Sequence, residues 1–184
     1  FFFYDNYIFL VNIQLCMKNI PYDERHWFDM LPSGLLCIDF GFGAIDNLLA
    51  LKKKFKCVAG IERYPCTSEY KEYSKFGLKR LRKKLIGQAI DISTGDFNEV
   101  VRHIVYEIAD SVIMSHSWTF ITNQEDFVKH LHRIVKKDGY FCLIQNCLSI
   151  AELGLIESCG WKLVNLYEAP IKSVGSDEYL FVKV

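Results

Sequence analysis

Two glycines and an aspartate lie at the end of the first apolar run of this 184-residue chain. The run, GLLCIDF, covers residues 34–40 and contains Asp39, and Gly41 and Gly43 follow it directly. Glycine lets the backbone turn tightly and approach another molecule closely, because it carries no Cβ atom. The spacing therefore predicts a ligand-binding turn at the end of a strand, with a plain turn as the alternative.

Carboxylates follow the next two apolar runs. Glu62 ends the run KCVAGIE at 56–62, and a carboxylate in this place could accept hydrogen bonds from the two hydroxyls of a ribose. Asp96 and Phe97 follow the run QAIDIS at 88–93. The carboxylate of Asp96 could accept from an exocyclic amine, and the ring of Phe97 could stack on a purine. Taken singly, Glu62 could be a solvated strand end and Asp96 a helix cap.

Polar and aromatic side chains follow the fourth apolar run, DSVIMS, where the reacting group of a bound ligand would lie. They are Ser115, His116, Ser117, Trp118, Thr119 and Phe120. His116 could act as a base, because the unperturbed pKa of histidine is near neutrality. A structural, hydrogen-bonded histidine is the alternative that we favour.

The pattern of the chain predicts a scaffold that brings these strand ends together. Apolar runs alternate with amphipathic stretches from residue 34 onward, which is typical of a mostly parallel sheet with helices on both faces. The last two strands have no helix between them, so the seventh must be antiparallel. We therefore predict an α/β, Rossmann-like fold with a seven-stranded, mostly parallel sheet. Ligands bind such sheets at the carboxyl ends of the strands.

The predicted elements cover one domain, residues 34–184, preceded by an N-terminal lead-in at 1–33. The strands are 34–40, 56–62, 88–93, 110–115, 140–145, 161–168 and 178–184, and the helices 44–54, 67–85, 98–108, 124–136 and 149–158. The sequence KKDG at 136–139 is interpreted as a helix stop. The last strand should lie between the fifth and sixth and bury Tyr179, Leu180, Phe181, Val182 and Val184.

Composition and charge exclude several classes of protein. Hydrophobic residues make up 51% and charged residues 24%, which excludes a disordered chain, a coiled coil and a collagen-like fibre. The net charge is zero, which argues against a histone-type polyanion binder. Locally, residues 52–84 hold twelve basic and three acidic side chains. Two interpretations of this stretch stay open: it contacts nucleic acid, or it is the solvated end of a helix. The candidate residues for the contact are Lys79, Arg80, Arg82, Lys83 and Lys84.

The cysteines predict an intracellular protein, nuclear or cytoplasmic. The chain has seven of them, an odd number, and no CxxC pair, so neither a disulfide scaffold nor a zinc ribbon fits, and we expect no metal site. Residues 1–15 are too short and too polar to span a bilayer, and we expect no contact with a membrane. The first residue is Phe1 rather than methionine, which indicates a piece of a longer protein.

Taken together, these motifs resemble those of the class I S-adenosylmethionine-dependent methyltransferases. The segments concerned are Asp39–Gly43, Gly60–Glu62, Gly95–Phe97 and Ala109–Ile113. More narrowly, they resemble the disruptor-of-telomeric-silencing family, the histone lysine methyltransferases that lack a SET domain. A tyrosine-rich stretch at 69–76 and the tail at 167–176 carry this narrower resemblance.

The resemblance implies S-adenosyl-L-methionine as cofactor and methyl transfer to protein lysine, with a histone or nucleosome as partner. In that family's pattern Glu62 binds the ribose, Asp96 the adenine amine, and Phe97 stacks on adenine. The implied cofactor-binding residues are Asp39, Gly41, Gly43, Glu62, Asp96, Phe97 and Ser115. Ser117 takes the place of the active-site asparagine, with His116 and Trp118 beside it, and Trp118 and Phe120 wall the lysine channel.

Two departures from the family's pattern keep other functions open. Ile45 stands where the family has a third glycine, and His116–Ser117 replaces a pair of asparagines. The alternatives are a catalytically weak or inactive binding module with the methyltransferase fold and, less favoured, a nicotinamide-dependent dehydrogenase. The dehydrogenase shares the acidic residue after the second strand.

Overall fold

The fold is known from a computed structural model that describes residues 25–43, 45–63, 82–83, 85–145, 147–168 and 176–184. The strands are β1 Gly34–Phe40, β2 Phe55–Arg63, β3 Ile90–Gly95, β4 Ala109–Ser115, β5 Val135–Gln145, β6 Trp161–Tyr167 and β7 Asp177–Lys183. The helices in these ranges are α1 His26–Met30, α2 Ile45–Leu51, α3 Phe97–His103, α4 Gln124–Ile134 and α5 Ile150–Ser158, with a 3₁₀ turn at Trp118–Phe120.

The seven strands form one sheet in the order β3-β2-β1-β4-β5-β7-β6. The pairs from β3 to β5 are parallel, and β7 pairs antiparallel with both β5 and β6. The predicted Rossmann-like architecture is confirmed, including the place of the last strand between the fifth and the sixth. The carboxyl ends of β1 to β5 consequently share one edge, the functional edge of the sheet.

The burial of β7 agrees with its central position, except at the end. Tyr179, Leu180 and Phe181 are buried and Val182 is partly buried. Val184 is 70% exposed, so its predicted burial is wrong. The strand ends at Lys183, and Val184 only donates its backbone N–H to the carbonyl of Gly160.

Side chains from the two faces of the sheet form two apolar clusters. One cluster joins the sheet to α3, α4 and α5, and includes Phe97, Trp118 and Phe127. The other joins it to α1 and α2, and includes Trp27 and Leu48. Helices thus cover both faces, as parallel strands require. Helix α1 packs into the core although it lies within the predicted lead-in.

The boundary between α4 and β5 differs from the prediction. The helix ends at Ile134, and the sequence KKDG lies inside β5 rather than closing a helix. The pairing of β4 with β5 shifts register between Ala109–Val135 and Ser111–Tyr140, so the additional residues form an irregularity in the strand. Asp138 there has a φ of +59°. Most of the helix predicted at 67–85 lies outside the described residues.

Candidate active site

The glycine turn after β1 is tied to the carboxylate at the end of β2. Gly41 and Gly43 have φ values of +83° and +62°, which favour glycine. The N–H of Gly41 donates to the carbonyl of Ile61 at 2.7 Å. The N–H of Gly43 donates to Oε2 of Glu62 at 3.0 Å. The turn and the carboxylate therefore lie side by side at the functional edge.

Ser117 joins the end of β4 to the end of β1. Its buried hydroxyl donates to the carbonyl of Phe40 at 2.6 Å. A Cβ atom at Gly41 would lie 2.6 Å from Cβ of Ser117, so glycine is needed for this close approach. The predicted catalytic role of Ser117 finds no support in these contacts, because the hydroxyl already has a backbone partner.

Asp39 lies inside the sheet rather than on the turn. Its side chain is fully buried in β1, where the residue pairs with Gly60 of β2 and Ile113 of β4. Burial first, and then the charge of Asp39, raise the pKa of the neighbouring Cys37 thiol. A direct contact of Asp39 with the cofactor finds no support in this fully buried position.

Asp96 and Phe97 take different places from those predicted. Oδ1 of Asp96 caps α3 by accepting from the N–H groups of Asn98 and Glu99 at 2.9 and 3.4 Å. The ring of Phe97 is 2% exposed and packs edge-on against Phe40, with ring centroids 5.7 Å apart. Phe97 is therefore a core residue here, which corrects its assignment to adenine stacking, while Asp96 is exposed and still available to an amine.

The two aromatic residues after β4 differ in exposure, since one is buried in the core and the other lies at the surface. Trp118 is 1% exposed, and its Nε1 donates to Oε1 of Glu152 at 2.8 Å. It belongs to the core, which corrects its assignment to a channel wall. Phe120 is 40% exposed, and the guanidinium carbon of Arg63 lies 4.7 Å from its ring centroid. Arg63 was missed in the sequence, where its place directly after Glu62 was the available signal.

His116 occupies a strained and partly buried position after Ser115. Its φ of +56° is unusual for a residue with a Cβ atom. The backbone N–H donates to Ile144, and Nε2 lies 3.4 Å from Oγ of Ser176. Burial and then the charge of Arg25 lower the pKa of His116 to about 4. The ring is neutral at neutral pH and too weak a base to drive proton removal, which favours the structural interpretation.

The basic stretch is partly committed to the fold. Nε and Nη2 of Arg82 donate to the carbonyl of Ile92 at 2.8 and 2.6 Å. Nζ of Lys54 donates to the carbonyl of Leu31 at 2.7 Å, next to the end of α1. Lys83 is exposed. Lys79, Arg80 and Lys84 lie outside the described residues.

The described ranges show neither a metal cluster nor a membrane-spanning helix. Within them, no group of three or more His, Cys, Asp or Glu side chains could hold a metal ion. None of the helices found there is both long and apolar enough to cross a bilayer.

Several solved structures share this fold. An S-adenosylmethionine-dependent methyltransferase from Mesorhizobium loti matches with a TM-score of 0.67 and 12% identity, over 88% of this chain and 98% of that one. A TehB-like methyltransferase from Corynebacterium glutamicum matches with a TM-score of 0.65 and 17% identity, over 98% of this chain and 97% of that one. A chain from the complex of the Haloferax volcanii Trm112 activator with a methyltransferase has a TM-score of 0.64 and 13% identity, over 92% of this chain and 88% of that one. No curated protein matches the chain.

Fold and site together define a class I methyltransferase. The family described as "Methyltransferase domain" matches residues 38–143, which is more than half of the chain. The chain belongs to this family, and its methyl donor is S-adenosylmethionine. The residues present fit that molecule. A Cβ atom at Gly43 would meet none of the described residues within 4 Å, so these residues leave space open in front of the turn, beside Glu62.

Proposed function

We propose that the glycine turn and Glu62 bind S-adenosylmethionine and that the chain transfers its methyl group to protein lysine. The hydrogen bond from Gly43 to Glu62 carries the first part of this proposal. A carboxylate can accept several hydrogen bonds. Glu62 accepts from the N–H groups of Gly43 and Arg63, at 3.0 Å each, so the backbone holds this carboxylate at the functional edge, where the ribose hydroxyls could donate to it.

Asp96, Phe120 and Arg63 complete the proposed cofactor site. Asp96 is exposed, and its hydrogen bonds with described residues all go to Oδ1, so Oδ2 could accept from the adenine amine. Phe120 replaces Phe97 as the aromatic partner of adenine, because its ring is exposed at the same edge. Arg63 covers that ring and lies next to Glu62.

The chemistry requires positioning more than acid or base catalysis. The cofactor supplies an electrophilic methyl group on a sulfonium. The protein must align an uncharged nucleophile with it, and alignment alone is worth up to about 7–11 kcal/mol in well-oriented systems. Ser117 and Gly41 hold the ends of β4 and β1 together, which fixes the geometry of the turn. His116 contributes shape and hydrogen bonding rather than proton removal.

The lysine acceptor, with a histone or nucleosome as partner, rests on the sequence resemblance. An intracellular location, nuclear or cytoplasmic, belongs to the same proposal and rests on the cysteine pattern. Incubation with labelled cofactor and nucleosomes tests the acceptor directly. We expect slow transfer, because Ser117 replaces the family's asparagine and its hydroxyl is engaged by Phe40. Fast transfer by the unmodified chain would contradict this view of the position.

Replacing Glu62 tests the cofactor site. We expect Glu62→Ala to weaken binding of S-adenosylmethionine by about 1–3 kcal/mol, the range for hydrogen bonds to a charged group. The measurement is calorimetric titration with S-adenosylmethionine, the demethylated product and NAD.

Glu157→Ala is the matched control, since Glu157 is an exposed carboxylate of α5. Unchanged affinity in folded Glu62→Ala would overturn the placement of the ribose. Saturable binding of NAD alone would favour the dehydrogenase, and binding of cofactor without any transfer would favour the inactive module.

A further inference from the structure

Four polar side chains from neighbouring strands lie at the functional edge of the sheet. We call them the acceptor cluster: His116 after β4, Gln145 at the end of β5, and Ser176 and Asp177 at the start of β7. Nε2 of His116 is 3.4 Å from Oγ of Ser176. Gln145 and Asp177 are directly opposite each other in the antiparallel pair, so their side chains share a face of the sheet.

The side chain of Gln145 has a feature that the fold does not explain. Its Oε1 is buried, and none of the described residues makes a hydrogen bond with it. A buried carbonyl without a partner costs free energy, and such groups are uncommon in native proteins, so this one calls for an explanation. Because Gln145 ends a strand at the functional edge, a bound molecule is the partner that this position favours.

The chemistry of the cluster selects the kind of molecule. The carbonyl of Gln145 and the carboxylate of Asp177 can only accept hydrogen bonds. Asp177 is buried and accepts from the hydroxyl of Tyr179 at 3.2 Å. At neutral pH the ring of His116 adds no positive charge. Arg25 acts on both His116 and Glu178, and Glu178 lies on the opposite face of β7 from Asp177 and Gln145, which are the two acceptors that concern the ligand.

We propose that the acceptor cluster binds the methyl acceptor and that this acceptor is an amine whose N–H groups donate to Gln145 and Asp177. The proposal rests on the proposed function, and it deepens it by assigning the amine to particular residues. The ammonium group of the acceptor first loses a proton to water, and the nitrogen lone pair then forms the N–CH3 bond as the S–CH3 bond of the donor breaks and its electron pair remains on sulfur. The nitrogen becomes a cation, which the carboxylate of Asp177 stabilises, and then loses a proton to water.

The experiment compares the whole chain with Gln145→Leu, which keeps the side-chain size and removes the carbonyl. Gln88→Leu is the control, because Gln88 is exposed and precedes β3 at the opposite edge of the sheet. Labelled cofactor is offered with butylamine, a lysine peptide, a phenol, a thiol and a carboxylate. We expect transfer to the amines, a tenfold or greater loss in kcat/KM for Gln145→Leu, mainly through KM, and no loss for Gln88→Leu.

Two further measurements keep this inference separate from the proposed function. Binding of the demethylated cofactor should be equal in all three chains, and the thermal midpoint of Gln145→Leu should equal or exceed that of the unmodified chain, because a buried unpaired carbonyl is removed. Asp177→Asn should also reduce amine transfer, and it replaces Gln145→Leu if that variant does not fold.

Equal amine kinetics in Gln145→Leu, or a phenol, thiol or carboxylate as the preferred acceptor, would overturn the inference and leave the cofactor site intact. Cofactor binding without transfer to any acceptor would also count against it. Loss of cofactor binding by the unmodified chain would instead overturn the proposed function, and this inference with it.

Discussion

The carboxylates at the functional edge accept hydrogen bonds from backbone N–H groups. Glu62 accepts from the N–H of Gly43, and Asp96 accepts from the N–H groups of Asn98 and Glu99. These contacts fix the direction of each carboxylate before any ligand arrives. A preorganised acceptor loses less conformational entropy on binding than a free side chain would. The bonds that fold the turn and cap the helix therefore also prepare the site.

Phe120 offers a test at the level of a single ring. We expect Phe120→Ala to weaken binding of the demethylated cofactor by about 0.5–1.5 kcal/mol, the worth of an aromatic pair. Stability should change little, because the ring is exposed at the surface. The measurement is calorimetric titration together with a thermal melt.

Tyr106→Ala is the matched control for Phe120→Ala. Tyr106 is also exposed, and the guanidinium carbon of Arg133 lies 5.9 Å from its ring centroid. It precedes β4, so it lies at the amino edge of the sheet. A loss of affinity equal in both variants, or in neither, would contradict the assignment of Phe120 to the cofactor.

Residue types after a strand could be predicted from the sequence, but not the direction of each side chain. Phe97 and Trp118 follow strands, as predicted, yet both point into the core. The first turn of α3 packs on the sheet, so the ring of Phe97 meets Phe40 rather than solvent. Gln145 escaped prediction altogether, because one glutamine after an apolar run has no distinctive spacing. Tertiary contacts decide these cases.

At the level of elements, local signals predicted α5 better than α4. The capping box of Ser149 and Glu152, with each side chain bonded to the other's backbone, marks the start of α5 near the predicted residue. The end of α4 has no comparable signal, since the lysines and glycine after it fit both a helix stop and an irregular strand. The pairing of Val135 with Ala109 is a long-range contact that a local pattern does not contain.

Strand β3 is the outermost strand on one side of the sheet, and the backbone groups of Ile92, which have no neighbouring strand, are bonded to side chains. The carbonyl of Ile92 accepts from Arg82, and the N–H of Ile92 donates to Oδ1 of Asp91 at 2.9 Å. Edge strands with unpaired backbone groups invite association with other chains. Arg82 thus blocks part of this edge, which is a structural role for one of the residues named as candidates for contact with nucleic acid.

Replacing Arg82 separates the two roles. We expect Arg82→Ala to lower the free energy of unfolding by about 1 kcal/mol, the net value of such a hydrogen bond, and to increase self-association. The neighbouring exposed Lys83 is the control, and Lys83→Ala should stay within about 0.5 kcal/mol of the unmodified chain. Urea denaturation and light scattering measure the two effects. Equal stability of both variants, with equal loss of binding to duplex DNA, would restore the nucleic-acid interpretation.

For the molecule as a whole, the proposed functional residues lie at the carboxyl ends of the strands, and a stabilising hydrogen-bond junction lies at their amino ends. The turn after β1, Glu62 and the acceptor cluster lie at the carboxyl edge. At the amino edge, Oδ2 of Asp110 accepts from the N–H groups of Leu35 and Leu36, and its Oδ1 accepts from Nζ of Lys136, all at 2.7 Å. One carboxylate therefore holds the beginnings of β1, β4 and β5 together. The antiparallel direction of β7 was predictable from the missing last crossover, whereas this junction depends on contacts about 75 residues apart.

Asp110 should make the free energy of unfolding depend on pH in the acidic range. Burial raises the pKa of Asp110, but the hydrogen bonds from Lys136 and from the backbone of Leu36 and Leu35 lower it by more, so the net pKa lies below its ordinary value. A carboxyl with a lowered folded pKa contributes its stability above the unfolded pKa of about 3.9, and loses it as the pH falls through the folded value.

We expect Asp110→Asn to lower the free energy of unfolding at pH 7 by about 1.5–3 kcal/mol, the range for hydrogen bonds to a charged group. The difference from the unmodified chain should persist at pH 5 and shrink below about pH 4, because Asp110 itself then becomes protonated. Urea denaturation at pH 7, 5 and 3.5 measures it, with Asp46→Asn in the first turn of α2 as the exposed control. A difference that stays constant down to pH 3.5, or that Asp46→Asn reproduces, would show that the charge of Asp110 does not hold the amino edge together.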